Sequence, residues 1–256
     1  MKLIGLVPAR MASSRFPGKP MYPILGKPMI EHVYRRALLY PQWTHLALTT
    51  CDREIADFGK SQDWNVIMTS DQHTRCLDRV AEAAPKLVPD IQDHDIVICV
   101  QGDEPMLYPA MIDAVAKPLL NDASVNCTVL AMDILDEQEF RNKDVVKIVH
   151  DLKGDVLYTS RAPIPWCEKL SPAVGAKRIY GIFAFRWKAL KQFTQLPESP
   201  LEIVESCDSN RMFDNGLKQR IAPFPYAASF AVDNPDDIKK VEAFMNQDPI
   251  LKEYAE

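Results

Sequence analysis

The chain opens on an apolar run and then gathers cations around a bend: Leu6-Val7-Pro8-Ala9-Arg10-Met11-Ala12-Ser13-Ser14-Arg15-Phe16-Pro17-Gly18-Lys19-Pro20. Arg10, Arg15 and Lys19 fall within ten residues that include a Pro-Gly turn. A polyphosphate calls for this combination. Several positive charges must converge on a small volume while the backbone bends sharply enough to turn N–H groups toward oxygen. Two later motifs, Gln101-Gly102-Asp103-Glu104-Pro105 and Val232-Asp233-Asn234-Pro235-Asp236-Asp237, set carboxylates directly behind apolar runs. Carboxylates of that kind suit a hard divalent cation. Cations for phosphate and carboxylates for a metal, all at strand ends, point to nucleotidyl transfer. The loop is neither a Walker A motif nor a dinucleotide fingerprint, because Gly18-Lys19 is followed by Pro20 and the glycine spacing is wrong for both.

Strand ends have to carry these residues. Apolar runs predict strands over 2–7, 45–50, 66–68 and 95–100, the last the most apolar and therefore central. Helical spacing predicts helices over 29–39, 53–62 (with Asp52 as N-cap), 78–87 and 111–120. This alternation predicts an α/β fold with a doubly wound, mostly parallel sheet, in which ligands bind beyond the carboxyl ends of the strands. The cationic loop and the Gln101–Pro105 loop both sit at such ends. Further strands are expected over 126–133, 145–150, 157–160, 178–186 and 220–222. Helices are expected over 200–215 and 235–245. We expect one domain over residues 1–256, with an extension at about 160–200.

Composition narrows the partners. The chain is 47% hydrophobic and 25% charged with a formal net charge of −5, which argues against nucleic acid and for a small anion held by local cations. Its six cysteines are scattered without zinc spacing, as expected of reduced thiols. No signal peptide and no run near the ~20 apolar residues of a membrane span is present, so a cytoplasmic protein without membrane contact is expected. His32 and His73 are read as structural or surface residues rather than bases.

Across nearly its whole length the chain resembles the sugar-acid cytidylyltransferases. The closest branch is the one that makes CMP-3-deoxy-manno-octulosonate (CMP-Kdo synthetase). The resemblance rests on Pro8-Ala9-Arg10-x-Ala12-Ser13-Ser14-Arg15-x-Pro17-Gly18-Lys19-Pro20, Gly26-Lys27-Pro28-Met29-Ile30, Val100–Pro105, Ser160-Arg161-Ala162-Pro163-Ile164-Pro165-Trp166, Pro200-Leu201-Glu202 and Val232–Asp237. It implies that CTP reacts with a sugar-acid hydroxyl at the α-phosphorus and that pyrophosphate leaves, with Mg2+ as cofactor. It implies a catalytic group of Arg10, Arg15, Lys19 and Asp103, with the three cations on the triphosphate. Nucleotide contacts would fall to Pro8, Ala9, Arg10, Lys19, Asp78, Arg79 and Gln101, and metal ligation to Asp103 and Asp233. Gln101, Arg161, Arg75 and Phe183 would face the acceptor, Arg161 on its carboxylate. It further implies a homodimer formed through the 160–200 region, for which the apolar Ile179–Phe185 run serves as an interface strand, and a role in surface polysaccharide (lipopolysaccharide) assembly.

Departures from the family pattern concentrate on the acceptor. Arg75-Cys76-Leu77-Asp78-Arg79 stands where the family has Ser-Gly-Thr-Glu/Asp-Arg, and Ile179-Tyr180-Gly181-Ile182-Phe183 where it has His-x-Gly-x-Tyr. Asp208-Ser209 replaces a Glu-Gln pair ahead of Arg211. Losing hydrogen-bonding groups from a site built for a polyol costs about 1–3 kcal/mol per unpaired partner. The expectation is an intact CTP and Mg2+ half with a rebuilt acceptor half. Its acceptor would be a different sugar acid, or a smaller, less polar molecule bearing a hydroxyl, carboxylate or phosphate. Two alternatives stand beside this one: a sugar nucleotidyltransferase using another NTP, and a non-catalytic nucleotide-binding relative.

Overall fold

Apolar residues fill both faces of the central strands, and this fixes the layering. The structure, a computed structural model, describes residues 1–13 and 15–254; Ser14 of the cationic loop lies outside the described residues. In chain order the first half runs β1 (Leu3–Pro8), β2 (Pro23–Ile24), β3 (Lys27–Pro28), α1 (Met29–Leu38), β4 (His45–Thr50), α2 (Arg53–Ser61), β5 (Val66–Met68), α3 (Cys76–Leu87), β6 (Ile96–Val100) and α4 (Pro109–Asn121). The second half runs β7 (Cys127–Asp133), α5 (Glu137–Arg141), β8 (Lys147–His150), β9 (Val156–Ser160), β10 (Lys177–Arg186), α6 (Trp187–Gln195), α7 (Pro200–Glu205), α8 (Ser209–Asp214), β11 (Arg220–Phe224) and α9 (Asp237–Met245).

The sheet order is β11-β7-β10-β6-β1-β4-β5, with β6 at the centre as expected. β10 alone in this order runs antiparallel to its neighbours, and the other pairs are parallel. Strand alternation divides the core. Leu3 and Val7 of β1, with Ile98 of β6, meet Val33 of α1 and Ile112 of α4 on one face. Ile4 and Leu6, with Val97, meet Val80 of α3 and Phe193 of α6 on the other. A doubly wound α/β sheet is therefore present, and its strand ends carry the cationic loop and the Gln101–Pro105 loop.

Three expectations need correction. The helix expected over 200–215 is two, α7 and α8, broken where Ser206 takes a left-handed φ of 49°. The break turns residues 206–208 inward, toward the site. Asp52 does not cap α2 with its side chain; its Oδ2 accepts from the Met11 backbone N–H at 2.8 Å and so fixes the start of the cationic loop. Ile179–Phe185 is not an interface strand, because β10 is hydrogen-bonded on both edges and buried on both faces inside this chain. α5 and α6 were not anticipated. For α6 the signal was available in Trp187, Leu190 and Phe193, spaced three apart and all buried. Among the described residues no helix is long and apolar enough to cross a membrane, and all six cysteines are free.

The chain end is locked by a buried polar knot. His32 is fully buried between the Ile24 carbonyl and the Tyr254 hydroxyl, each at 2.8 Å. A carbonyl only accepts, so Nε2 carries the proton and Nδ1 accepts from Tyr254. The Tyr254 oxygen in turn accepts from Arg36 Nε at 3.0 Å, and Arg36 pairs with buried Asp248 at 2.6 Å. His32 is thus structural, as read from the sequence. Burial pushes its imidazole down to about 4; the Ile24 carbonyl works against this fall, and the Arg36 charge adds to it. An unfolded chain takes up this proton near pH 6.5 and the folded chain only near 4, so stability is lost as pH falls through that window. We predict that urea denaturation at pH 7, 5.5 and 4.5 will show the stability gap between wild type and His32→Gln narrowing by up to about 1.4 kcal/mol per pH unit. A gap independent of pH would show that His32 is not held neutral.

Candidate active site

A close backbone approach builds the floor of the site. Gly102 follows β6, and a Cβ there would stand 2.5 Å from the Pro8 carbonyl at the end of β1. Only glycine lets these two strand ends meet. The cationic loop then folds back over them. Gly18 takes a left-handed φ of 76°, and its N–H donates to the Met11 carbonyl at 3.0 Å.

Cations and carboxylates interlock across this floor. Lys19 Nζ donates to Asp103 Oδ2 at 2.9 Å and to the Val232 carbonyl at 2.7 Å. Arg15 donates to Asp233 Oδ1 at 2.6 Å and to Asp144 Oδ1 at 3.2 Å. The Val232 N–H donates to the Asp103 carbonyl at 3.0 Å, which ties the two carboxylate loops together. Burial, and after it the negative charge of Asp103, raises the Asp233 carboxyl above its ordinary range. A divalent cation between these carboxylates relieves both penalties, so the pair fits a hard metal ion. Among the described residues no group of three or more His, Cys, Asp or Glu side chains forms a metal cage. The remaining ligands would have to be phosphate and water, as is usual for Mg2+.

Two cavities share this centre. The first, about 270 Å3, is lined by Pro8, Ala9, Arg10, Arg15, Lys19, Arg75, Cys76, Arg79, Gln101 and Asp103, and so gathers most of the residues expected to bind nucleotide. The second, about 450 Å3, shares Arg15, Gln101 and Asp103 with the first and adds Arg161, Ile179, Phe183, Asp208 and Asp233. Asp78 is not brought into either; it pairs with Arg211 at 3.4 Å on the far side of α3. Arg79 is buried and donates to Thr69 Oγ1, the Ser70 carbonyl and the His73 carbonyl, so its guanidinium shapes the loop before α3. Arg10 meets the same His73 carbonyl at 3.3 Å. His73 itself is tied through Nε2 to Glu82 at 2.5 Å.

Arg161 is aimed by partners far away in sequence. Its backbone N–H donates to Glu205 Oε2 at 2.8 Å, its Nε to the Glu205 carbonyl at 2.8 Å, and its Nη1 to the Lys143 carbonyl at 2.9 Å. Nη2 has no hydrogen bond among the described residues and is the nitrogen left for an anion. Beneath it Lys147 donates to the carbonyls of Asn142, Val145 and Arg161, at 2.6–2.7 Å. Arg75 is less available than expected: its guanidinium is engaged by Glu198, Ser206 and two further carboxylates. Ile179 and Phe183 put apolar surface on the second cavity, as the loss of a His and a Tyr implied.

Several contributors escaped the sequence reading. Glu104 is buried, accepts from the Gly181 N–H at 2.9 Å, and is pushed up to about 8 by burial and then by Asp103. Its place in the Gln101–Pro105 motif was a usable signal. Asp144, Arg178 and Glu205 gave none, because what they do depends on residues distant in the chain.

Comparisons with known proteins agree on one family. A protein-family profile described as Cytidylyltransferase matches residues 4–221. A 3-deoxy-manno-octulosonate cytidylyltransferase of Nitratidesulfovibrio vulgaris is 43% identical over 91% of this chain and 92% of its own. The protein of that name from Geobacter metallireducens is 36% identical over 94% and 96%. The solved structure of CMP:2-keto-3-deoxy-manno-octonic acid synthetase complexed with CTP superposes with a TM-score of 0.85 at 34% identity, covering 96% of this chain and 99% of that one. A 4-diphosphocytidyl-2C-methyl-D-erythritol synthase from Anaerococcus prevotii shares the fold alone, at a TM-score of 0.62 and 14% identity.

The close approach at Gly102 yields a direct check. Gly102→Ala must displace the Pro8 carbonyl, at a cost of about 1–3 kcal/mol in stability. We expect CTP affinity, read by calorimetry, to fall as well, because the displaced Pro8 carbonyl belongs to the floor that lines the first cavity. Unchanged affinity would show that the Pro8 end of the floor does not carry the nucleotide.

Proposed function

The chain belongs to the cytidylyltransferase family, and from that membership we propose that it transfers CMP from CTP to a sugar acid of the 3-deoxy-manno-octulosonate class, releasing pyrophosphate. The observation that carries this is the convergence of Arg10, Arg15, Lys19, Asp103 and Asp233 at the junction of two cavities. One cavity suits the nucleotide and the other the acceptor.

The residues divide the work as follows. Arg10, Arg15 and Lys19 neutralise the triphosphate and the charge that develops on the leaving pyrophosphate. Asp103 and Asp233 would hold Mg2+, which when bound supplies charge neutralisation and polarises the phosphate oxygens. Pro8, Ala9 and Gln101 border the nucleotide, while Gln101 and Arg161 orient the sugar acid, Arg161 through Nη2 on its carboxylate. The sugar hydroxyl oxygen bonds to the α-phosphorus as the bond to pyrophosphate breaks, and the hydroxyl proton passes to solvent. Phe183 and Ile179 exclude water from the acceptor side. Residues 1–256 act as one nucleotidyltransferase domain at work in the cytoplasm. Activity confined to UTP, ATP or GTP would favour a related sugar nucleotidyltransferase, and CTP binding without turnover a non-catalytic relative.

A homodimer fits the surface. Large exposed apolar side chains occur on β9 (Leu157), in the loop after it (Trp166) and on α7 (Ile203 and Val204), with Trp166 86% and Val204 80% exposed. A second copy is the occupant we propose, taking over the role first read into Ile179–Phe185.

Two outcomes are expected. Wild-type protein with CTP, Mg2+ and 3-deoxy-manno-octulosonate should release pyrophosphate, and Asp103→Ala should lower kcat by about 100-fold or more while retaining the fold. Equal turnover by the variant would remove Asp103 from the reaction. Separately, Trp166→Glu with Val204→Glu should shift the mass seen by light scattering from dimer to monomer. A wild type that is already monomeric, or a variant that stays dimeric, would place the interface elsewhere or nowhere.

A further inference from the structure

Two arginines and four carboxylates interlock beside the two cavities, with Arg75 on the wall of the first and Asp208 on the wall of the second. Arg211 is buried and binds Glu202 with two parallel bonds, Nε to Oε2 and Nη2 to Oε1, both at 2.7 Å, while its Nη1 reaches Asp78 at 3.4 Å. Arg75 is the second arginine. Its Nε donates to Glu198 Oε1 at 2.9 Å and its Nη1 to Ser206 Oγ at 3.4 Å. Glu202 Oε1 and Asp208 Oδ1 each stand 3.8 Å from its guanidinium.

Helix stability does not explain an arginine here. Arg75 occupies the N-cap position of α3 without a side-chain cap, and a cation at a helix N-terminus opposes the dipole. Its favourable interactions all run across to the loop before α7, to α7 and to the turn after it. That turn holds Ser206 in a left-handed conformation and delivers Ser206, Cys207 and Asp208 to the wall of the second cavity.

Asp208 is the group so delivered. Its Oδ2 has a long contact from Cys76 Sγ at 3.6 Å, and its Oδ1 only the 3.8 Å approach of Arg75. Lone pairs remain on both oxygens for donors on a molecule in the cavity. Direct capture of an anionic acceptor by Arg75, the role first expected of it, would compete with Glu198, Glu202 and Asp208.

We infer that Arg75 is a positioning residue that pins the Ser206–Asp208 turn so that Asp208 meets the hydroxyls of the acceptor, and that it thereby sets acceptor affinity without touching the acceptor. The inference rests on the proposed cytidylyl transfer to a sugar acid.

Pyrophosphate release with CTP and 3-deoxy-manno-octulosonate tests it in wild type, Arg75→Ser, Arg75→Lys, Asp208→Asn and the double variant Arg75→Ser/Asp208→Asn. Arg75→Ser should raise KM for the sugar acid about tenfold or more, and by a larger factor than it changes KM for CTP. Arg75→Lys, which keeps the charge and the fold, should recover most of the loss. The double variant should be no worse than Asp208→Asn alone, because both changes act through one carboxylate. Fully additive effects, or a raised KM for CTP with that for the sugar acid unchanged, would overturn the inference while the functional reading stands. A wild type that releases no pyrophosphate with the sugar acid would overturn the functional reading and the inference together.

Discussion

Everything at the site depends on Lys19 reaching both carboxylate loops at once. Its ammonium bonds Asp103 Oδ2 and the Val232 carbonyl, so one side chain from the first loop holds the ends of β6 and of the segment before α9 against each other. Without such a tie the geometry would be unfavourable. Burial, and after it the charge of Asp103, raises the Asp233 carboxyl, and like charges gathered in one loop also repel. Interleaving the two sets lets Lys19 neutralise Asp103 and Arg15 neutralise Asp233.

The same device recurs further out. The wall of the second cavity is made of loops with little regular structure, and buried or half-buried cations hold those loops. Lys147 gathers three backbone carbonyls, Arg178 reaches the Ser229 carbonyl and Glu139, and Arg211 binds Glu202. Buried carbonyls outside a sheet or helix need donors, and a lysine or arginine can satisfy several from one position. These residues therefore decide where Arg161, Asp144 and Asp208 point, although only some of them face the cavity themselves.

Legibility in the sequence followed this division. The cationic loop and its meeting with Asp103 could be read because the parts are local: a strand, a Pro-Gly turn, cations within one loop, and a carboxylate at the next strand end. The parallel sheet was equally open, since runs such as Ile96–Val100 can only be buried on both faces. What stayed hidden depended on distant partners. Arg75 finds its hydrogen-bond partners at Glu198 and Ser206, over 120 residues on, and Arg161 is aimed by Glu205, 44 residues away. The apolar run Ile179–Phe185 looked like a dimer interface because hydrophobicity reports burial without naming what does the burying. Inside the sheet, β6 and β7 supply that cover.

This division also explains why substitution is easier at Ile179 and Phe183, on the wall of the second cavity, than on the floor. Gly102 has no room for a single extra carbon, because its neighbour is the backbone at Pro8 and no rotamer change can relieve the clash. Gly18 needs its left-handed φ, and Lys19 needs a length that spans two loops. Each of these constraints acts through backbone or through a charge network that fails if one member leaves. Ile179 and Phe183 are different, because they contribute side-chain surface to the second cavity from a β10 whose backbone bonds to β6 and β7 do not depend on what those side chains are. Exchanging them alters what the cavity accepts and leaves the strand in place. A site arranged in this way can vary one wall by substitution while the shared floor keeps its geometry.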